Sequence, residues 1–526
     1  MVRALTALGR SAEAAAAAGE AVAAAADVGA ADLEADAALA AAAAHLAAGD
    51  ADACRADAER ALERSWRFGR FLSDAEGSSA RARVASAALY GVEACLARAD
   101  LAGAFAFAER GRAVALAESL GLRDALSGAH ATPAAVAEEE AARSAEALAA
   151  AALEEAVAAG ERAVVKARRL DLEAARSRHL DLLGRFAADA KSRAGLAFPA
   201  VASAAEVRGA LGADEAYVAY VTNGTRGLAI VATAAGLRVA PLPPLPVLEG
   251  GLGPDDPGTL EAFRAAIVAP LALPATVRRV VVCPMGATLD VPYAALLPDV
   301  DVAIAPSAGI WLRQRAEAAR TGKGVLAVGD PDYDGSARGA PRPTTWVRLP
   351  GTGVEAKAVG TEVLLRGDAT EARFRAAVVA QPRWSAVHLA CHGSMDLRQP
   401  LRSALALAPE AGDDGLLTAA EVYRLPVRAD LVVLSGCETA RAQVVEGEGP
   451  LGLARAFFVA GAPRVIVALW KVDDAATSAL MQAFHARFRA GASAATALRE
   501  AQATVRAEAK WAAPRYWAAW QLHGVW

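Results

Sequence analysis

Two short stretches of this chain end in side chains that could react. One is Val387-His388-Leu389-Ala390-Cys391-His392-Gly393, and the other is Leu431-Val432-Val433-Leu434-Ser435-Gly436-Cys437-Glu438-Thr439. Each is a β-rich apolar run that finishes in a small residue and a reactive group, His392 before Gly393 and Cys437 after Gly436. Side chains just past the carboxyl ends of neighbouring parallel strands meet in one crevice. A histidine within reach of a cysteine can take the thiol proton and later return a proton to a leaving amine, which is nucleophilic acyl transfer. The oxyanion formed on the way needs donors. Gly393, lacking a side chain, can bring its backbone N–H close to a substrate carbonyl, and the N–H of Cys437 could be a second donor. The competing reading makes Cys437 a structural thiol, because free cysteine is among the most buried residues.

His388 and Cys391 lie within the first run, and His388 is expected to be a packed residue supporting the site. A metal site built from His388, Cys391, His392 and Cys437 is disfavoured, since adjacent strand residues point to opposite faces. No metal or organic cofactor is expected.

Strands alternating with helices must position these groups. Tyr217 to Thr222 and Gly227 to Ala232 flank Asn223-Gly224, a hairpin signal. Further strands are expected at Val277 to Cys283, Val325 to Val328, Arg464 to Leu469 and Tyr516 to Leu522, with helices at Ala369 to Ala380, Pro450 to Ala460, Ala475 to Phe488 and Ala494 to Lys510. Pro241 to Pro246 reads as a proline-rich connection, and Asp332 to Gly351 as a long exposed loop. The pattern is a doubly wound α/β domain. The strand ending at Leu469 should finish on the same edge as the other two, which brings Trp470, Asp473 and Asp474 near the crevice. Asp473 or Asp474 would then line an acidic pocket for a basic side chain, or would cap the helix beginning at Ala475. Gly447-Glu448-Gly449-Pro450-Leu451-Gly452 and Gly351-Thr352-Gly353-Val354-Glu355-Ala356 match dinucleotide-type glycine patterns, but neither directly follows a strand, so no nucleotide is expected.

Before about residue 205 the character changes. Leu5 to Arg10 is echoed by Leu46 to Asp50 and by Leu96 to Asp100, and small-residue helices follow, carrying Ala18-Gly19, Ala58-Glu59 and Ala108-Glu109 at matching offsets. The pattern, with an insertion around Phe71 to Ser79, resembles degenerate tetratricopeptide repeats, which expose a concave surface for a protein partner. An alanine-rich helical bundle is the alternative. The first repeat has no obvious cap, so residues are expected to be missing upstream. From about 134 to 194 the sequence is charged and helical, a mechanical linker with a solvated face.

Composition disfavours several classes. The net charge of −5 leaves no basic footprint for nucleic acid. The 55% hydrophobic content is largely alanine, and no strongly apolar run of 18 residues or more suggests a membrane span. Five scattered cysteines without a C-x-x-C pair argue against a disulfide framework and for a reducing, cytoplasmic setting.

From about residue 215 to the end, the chain resembles the CHAT domain, the caspase-like domain found with tetratricopeptide repeats, in the caspase, separase and gingipain group of cysteine peptidases. The residues that carry the resemblance are Cys283-Pro284-Met285-Gly286, Val291-Pro292-Tyr293-Ala294-Ala295-Leu296, Leu349-Pro350-Gly351-Thr352 before Glu355, both reactive stretches, Leu469-Trp470-Lys471-Val472-Asp473-Asp474 and Tyr516-Trp517-Ala518-Ala519-Trp520. The resemblance implies His392 as catalytic base, Cys437 as nucleophile and Gly393 near the oxyanion. Their separation is close to the roughly 50 residues between histidine and cysteine in caspases. The caspase signature Q-A-C-x-G is absent, so specificity for aspartate does not carry over. Family members in bacteria take part in regulated proteolysis, including defence and programmed death.

The expected organisation is therefore tetratricopeptide-like α-helical repeats over 1–130, a helical linker over 131–204, and a caspase-like α/β domain with a mostly parallel sheet over 205–526. The expected function is a cysteine endopeptidase acting on a protein or peptide, regulated by a protein partner on the repeats, with neither membrane nor nucleic acid bound directly. The rival from another class is a catalytically inactive scaffold.

Overall fold

Three identical turns set the N-terminal array. The computed structural model describes residues 1–28, 31–69, 77–112, scattered positions between 138 and 182, and 201–223, 226–244, 257–289, 291–318, 322–334, 346–394, 403–410, 413–436 and 451–526. Helices Val2–Ala7, Ser11–Val28, Ala31–Ala47, Ala51–Gly69 and Gly77–Ala97 precede a helix over 101–112. At Gly9, Gly49 and Ala99 the backbone turns left-handed, with φ of +73°, +80° and +56°. Across each turn the same reversed bond closes the helix, from Arg10 N–H to the Leu5 carbonyl, Asp50 N–H to His45 and Asp100 N–H to Cys95. Asp50 and Asp100 then cap the next helix by accepting from the N–H groups of Ala53 and Gly103. Ala18, Ala58 and Ala108, the small residues at matching offsets, are fully buried. The repeat spacing read from the sequence is thus a repeat of structure, rather than a bundle of unrelated alanine-rich helices. Most of the expected linker lies outside the described residues, and the described positions between 138 and 182 are helical.

The remainder is an α/β unit. Strands β1 (Glu215–Thr222), β2 (Gly227–Thr233), β3 (Gly236–Leu242), β4 (Arg279–Cys283), β5 (Asp301–Ile304), β6 (Lys323–Pro331), β7 (Glu362–Arg366) and β8 (Trp384–Ala390) come first. They are followed by β9 (Gly393–Ser394), β10 (Ala404–Ala406), β11 (Leu416–Thr418), β12 (Val432–Leu434), β13 (Arg464–Ala468) and β14 (Trp520–Gly524). Eleven of them form one sheet in the order β3-β2-β1-β4-β5-β14-β13-β12-β8-β6-β7, and β9 to β11 form a small separate sheet. The pairings β13-β12, β12-β8, β8-β6 and β6-β7 are parallel, whereas β13 meets β14 antiparallel. The sheet therefore holds two parallel blocks of opposite direction, β13-β12-β8-β6-β7 and β14-β5-β4-β1, joined at β13-β14, with β2 and β3 added antiparallel beyond β1. Strands β8, β12 and β13 finish on one edge, as expected. The opposite direction of β4 puts the Cys283-Pro284-Met285 stretch at the other edge.

Several elements escaped the sequence reading for physical reasons. Strand β3 contains Pro241, which an edge strand tolerates because one side of its ladder is unpaired. Strand β7 is the opposite edge, and β5 has only four residues. The expected closing strand starts later, at Trp520, because Pro514–Tyr516 is a 3₁₀ turn. The expected loop up to Gly351 ends sooner, since a helix begins at Pro350 with proline in its first turn.

The two parts share one core. Phe105 packs on Tyr217 and Tyr217 on Trp311, with ring centroids 6.1 and 5.9 Å apart. The Glu109 carboxylate accepts from the Tyr217 hydroxyl at 3.0 Å and from the Ala308 N–H at 2.8 Å. Arg112 donates to the carbonyls of Tyr220 and Cys283. A buried glutamate and arginine from the last described repeat helix thus lock onto the ends of β1 and β4. Among the described residues no helix is long and apolar enough to cross a membrane.

Candidate active site

His392 sits just beyond β8, and its ring is held on three sides. Trp346 stacks on one face, centroids 4.7 Å apart with planes at 30°, and Tyr333 lies 5.5 Å away at 44°. Nε2 is 2.7 Å from the Val347 carbonyl oxygen. A carbonyl can only accept, so Nε2 carries the proton and a neutral imidazole keeps Nδ1 as its basic nitrogen. The backbone N–H of His392 donates to the Tyr333 hydroxyl at 3.3 Å. Burial pushes the pKa of that hydroxyl up, so it stays protonated.

The segment that holds the ring is itself anchored. Arg348 makes a forked pair with Asp330, Nε to Oδ1 at 3.1 Å and Nη2 to Oδ2 at 2.5 Å, and Arg366 approaches the same carboxylate at 3.4 Å. Asp330 lies near the end of β6, the strand beside β8, in a left-handed conformation (φ +45°). Its N–H is taken by the Thr352 hydroxyl at 2.8 Å. The chain of support runs from Asp330 through Arg348 to the Val347 carbonyl and so to His392.

Parallel pairing of β12 with β8 carries the second stretch to the same place. Val433 pairs with His388 and Leu434 with Leu389, and the Ser435 N–H donates to the Leu389 carbonyl at 2.8 Å. At Gly436 a Cβ would run into the Cys391 carbonyl oxygen and would come within 3.7 Å of the Gly393 nitrogen. Only glycine allows this approach. The residue preceding Cys437 therefore packs against the residues flanking His392. Cys437 itself lies outside the described residues. Gly393 is buried at the start of β9, opposite Leu405.

The supporting residues separate clearly. Burial pushes the Cys391 thiol up to about 12, which rules it out as a nucleophile at neutral pH. His388 is fully buried, with Nε2 2.7 Å from Glu355. Trp470 is half-buried, and its indole N–H donates to the Arg515 carbonyl at 2.9 Å, tying the end of β13 to the C-terminal segment. Asp473 caps helix Asp474–Arg489 by accepting from the N–H groups of Ala475 and Ala476 at 3.1 and 2.9 Å. Asp474 is exposed on the side of Gly351, where an added Cβ would lie 3.7 Å from its own.

Sequence reasoning missed Asp330, Tyr333, Trp346, Val347, Arg348 and Glu355 as parts of this neighbourhood. Asp330 carried a usable signal, because Gly329-Asp330 after a buried run repeats the strand-end pattern that singled out His392. Trp346 to Arg348 carried none, lying in a stretch whose composition reads as loop, whereas Glu355 stood just past the Leu349-Pro350-Gly351-Thr352 stretch that carries the family resemblance without its contacts being legible.

The fold and this meeting of strand ends define an α/β protein with an N-terminal helical array. The CHAT domain family model matches residues 258–525, more than half of the chain, and the chain belongs to that family. Tetratricopeptide repeat protein 28 of Mus musculus and of Homo sapiens are each 38% identical over 109 residues, a segment covering 21% of this chain and 4% of either relative. The chain thus matches only a small fraction of those proteins. Among solved structures, a Saccharomyces cerevisiae separase–securin complex at 2.6 Å is similar at a TM-score of 0.39 and 8% identity, over 94% of this chain and 50% of that one. The Arg-specific cysteine proteinase gingipain R is similar at a TM-score of 0.34 and 11% identity, over 53% of this chain and 69% of that one.

Proposed function

We propose that this protein is a cysteine endopeptidase in which His392 is the base and Cys437 the nucleophile. The observation supporting this reading most strongly is the tautomer imposed on His392, with Nε2 donating to Val347 and Nδ1 left basic, on a strand end whose Cys391 and Gly393 backbone packs against the glycine that precedes Cys437. The Cys437 thiol proton passes to Nδ1 and the sulfur attacks the substrate carbonyl carbon. The tetrahedral oxyanion is met by the backbone N–H of Gly393 and that of Cys437. The C–N bond then breaks, the imidazolium protonates the leaving amine, and water, deprotonated by the same imidazole, hydrolyses the thioester.

Residues 1–130 serve as the repeat module, 131–204 as the linker and 205–526 as the peptidase unit, with a protein partner on the repeats as regulator. With Asp473 serving as the helix cap, exposed Asp474 is kept with Trp470 as the candidate to meet a basic side chain before the scissile bond. Wild type, Cys437→Ala and His392→Ala should be compared on a proteome-derived peptide library, with an electrophilic peptide probe for Cys437. Cleavage and labelling are expected for wild type alone. A folded protein whose Cys437 fails to react, with and without candidate partners, would instead be a scaffold. Fluorogenic peptides ending in Arg, Lys, Asp and Met test the pocket; no preference for Arg or Lys removes Asp474 from it.

A further inference from the structure

Beneath His392 lies a buried polar group that the dyad chemistry does not use. Glu355, on helix Pro350–Val359, is 1% exposed. A carboxylate so far from water is costly unless it is hydrogen-bonded, so its partners indicate what it does. A single oxygen, Oε1, takes two bonds from two different strands. His388 Nε2 reaches it at 2.7 Å from β8, and Ser435 Oγ at 2.5 Å from just past β12. On the far side, His485 of helix Asp474–Arg489 sets its Nε2 3.2 Å from His388 Nδ1. Burial holds the His485 pKa well below its ordinary value, so this imidazole is neutral.

The helix can deliver Glu355 this deeply because two glycines let it lie on the sheet. A Cβ on Gly329 of β6 would strike the Thr352 carbonyl, and one on Gly353 would come 3.0 Å from the Asp330 Cβ. The place of the contact matters as much as its depth. Strand β12 is only three residues long, and just past it the Ser435 N–H donates to the Leu389 carbonyl of β8. Glu355 adds side-chain bonds at this end of the β8-β12 pair, to His388 and to Ser435. His388 lies four positions before His392, and Ser435 two before Cys437.

We propose that Glu355 is a positioning residue that clamps the end of β8 to the end of β12, and so fixes the spacing of His392 and Cys437. The proposal rests on the Cys-His reading for its catalytic consequence, but the clamp can be measured without it. Full-length wild type, Glu355→Ala, Glu355→Gln and Ser435→Ala should be compared by amide hydrogen exchange over 384–392 and 430–436, and by kcat and KM on a peptide that wild type cleaves.

Misplacing reacting groups by about 1 Å can cost about 100-fold, and Glu355→Ala is expected to lower kcat by about that factor, with KM within about twofold. Exchange should rise at both strand ends together. Glutamine keeps an oxygen that accepts both bonds, so Glu355→Gln should stay within about threefold of wild type in both measurements. Should Glu355→Ala not fold, Ser435→Ala, which removes one arm, should still lower kcat about tenfold and raise exchange over 430–436.

Unchanged exchange at either end in folded Glu355→Ala, or in Ser435→Ala over 430–436, would overturn the clamp. So would a wild-type kcat, or a Glu355→Gln as impaired as the alanine variant. If wild type cleaves no peptide while exchange responds as expected, the peptidase reading falls and the clamp stands. If wild type cleaves but exchange is indifferent to Glu355, the reverse holds.

Discussion

His392 differs from an ordinary surface histidine in having its proton placed for it. The Val347 carbonyl fixes Nε2–H, and Trp346 and Tyr333 restrict the ring. A base held in this way loses little freedom as the proton moves, which is the benefit of preorganisation. Trp346→Ala should leave the tautomer but free the ring, lowering kcat about tenfold with KM little changed, as steady-state kinetics would reveal. Arg348→Ala should cost more, about 10- to 100-fold, since it releases the segment carrying Val347 from Asp330. Arg348→Lys should not restore activity, because a point charge cannot reproduce the forked pair.

Among the elements, the repeat turns offer a direct comparison. Gly9 and Gly49 occupy the left-handed position without strain, while Ala99 occupies it with a Cβ. Ala99→Gly should therefore stabilise the array by about 0.5–1 kcal/mol, seen as a higher urea midpoint, because the relieved strain exceeds the added chain entropy. At the strand ends the requirement runs the other way. Gly436→Ala places a Cβ against the Cys391 carbonyl, and overpacking of this kind costs about 1–3 kcal/mol. Asp473→Ala should cost about 1 kcal/mol, the value of a helix cap, and leave peptide preference unchanged.

Over the whole molecule, the array and the sheet are joined by buried charge as well as by apolar contact. Arg112 and Glu109 are 6% and 1% exposed, and both bond across to the α/β part. Arg112→Ala removes the buried guanidinium 3.9 Å from the Glu109 carboxylate and its bonds to the Tyr220 and Cys283 carbonyls, and should lower global stability by about 3–5 kcal/mol in urea unfolding. A second buried group makes stability depend on pH. Burial lowers the pKa of His523 on β14 from 6.5 to about 4, and neither ring nitrogen has a hydrogen-bond partner among the described residues. The folded state therefore resists a proton that the unfolded chain accepts. This contribution is complete above pH 6.5 and is lost as pH falls toward 4. From pH 7 to 5 it should remove about 2 kcal/mol, and His523→Leu should abolish that part of the loss.

By itself the sequence determined what depends on local pattern and residue type. The repeat turns were legible because each reuses the same reversed bond at residues of matching position. The two reactive strand ends were legible because buried parallel strands are short apolar runs closed by small residues, and their order along the chain matched a family that the match to residues 258–525 establishes. The reading of His388 as a supporting residue followed from its place inside such a run. Tertiary structure decided the rest. It reversed the sheet between β13 and β14, which no local signal encodes. It brought Trp346 and Val347, in a loop by composition, onto the His392 ring, and it sent Glu355 from a neighbouring helix to bridge β8 and β12. Those contacts join residues dozens of positions apart, and their energy comes from burial that exists only once the sheet has assembled. The sequence could thus offer His392 and Cys437 as candidates, but not the carbonyl that orients the histidine or the carboxylate that joins β8 to the end of β12.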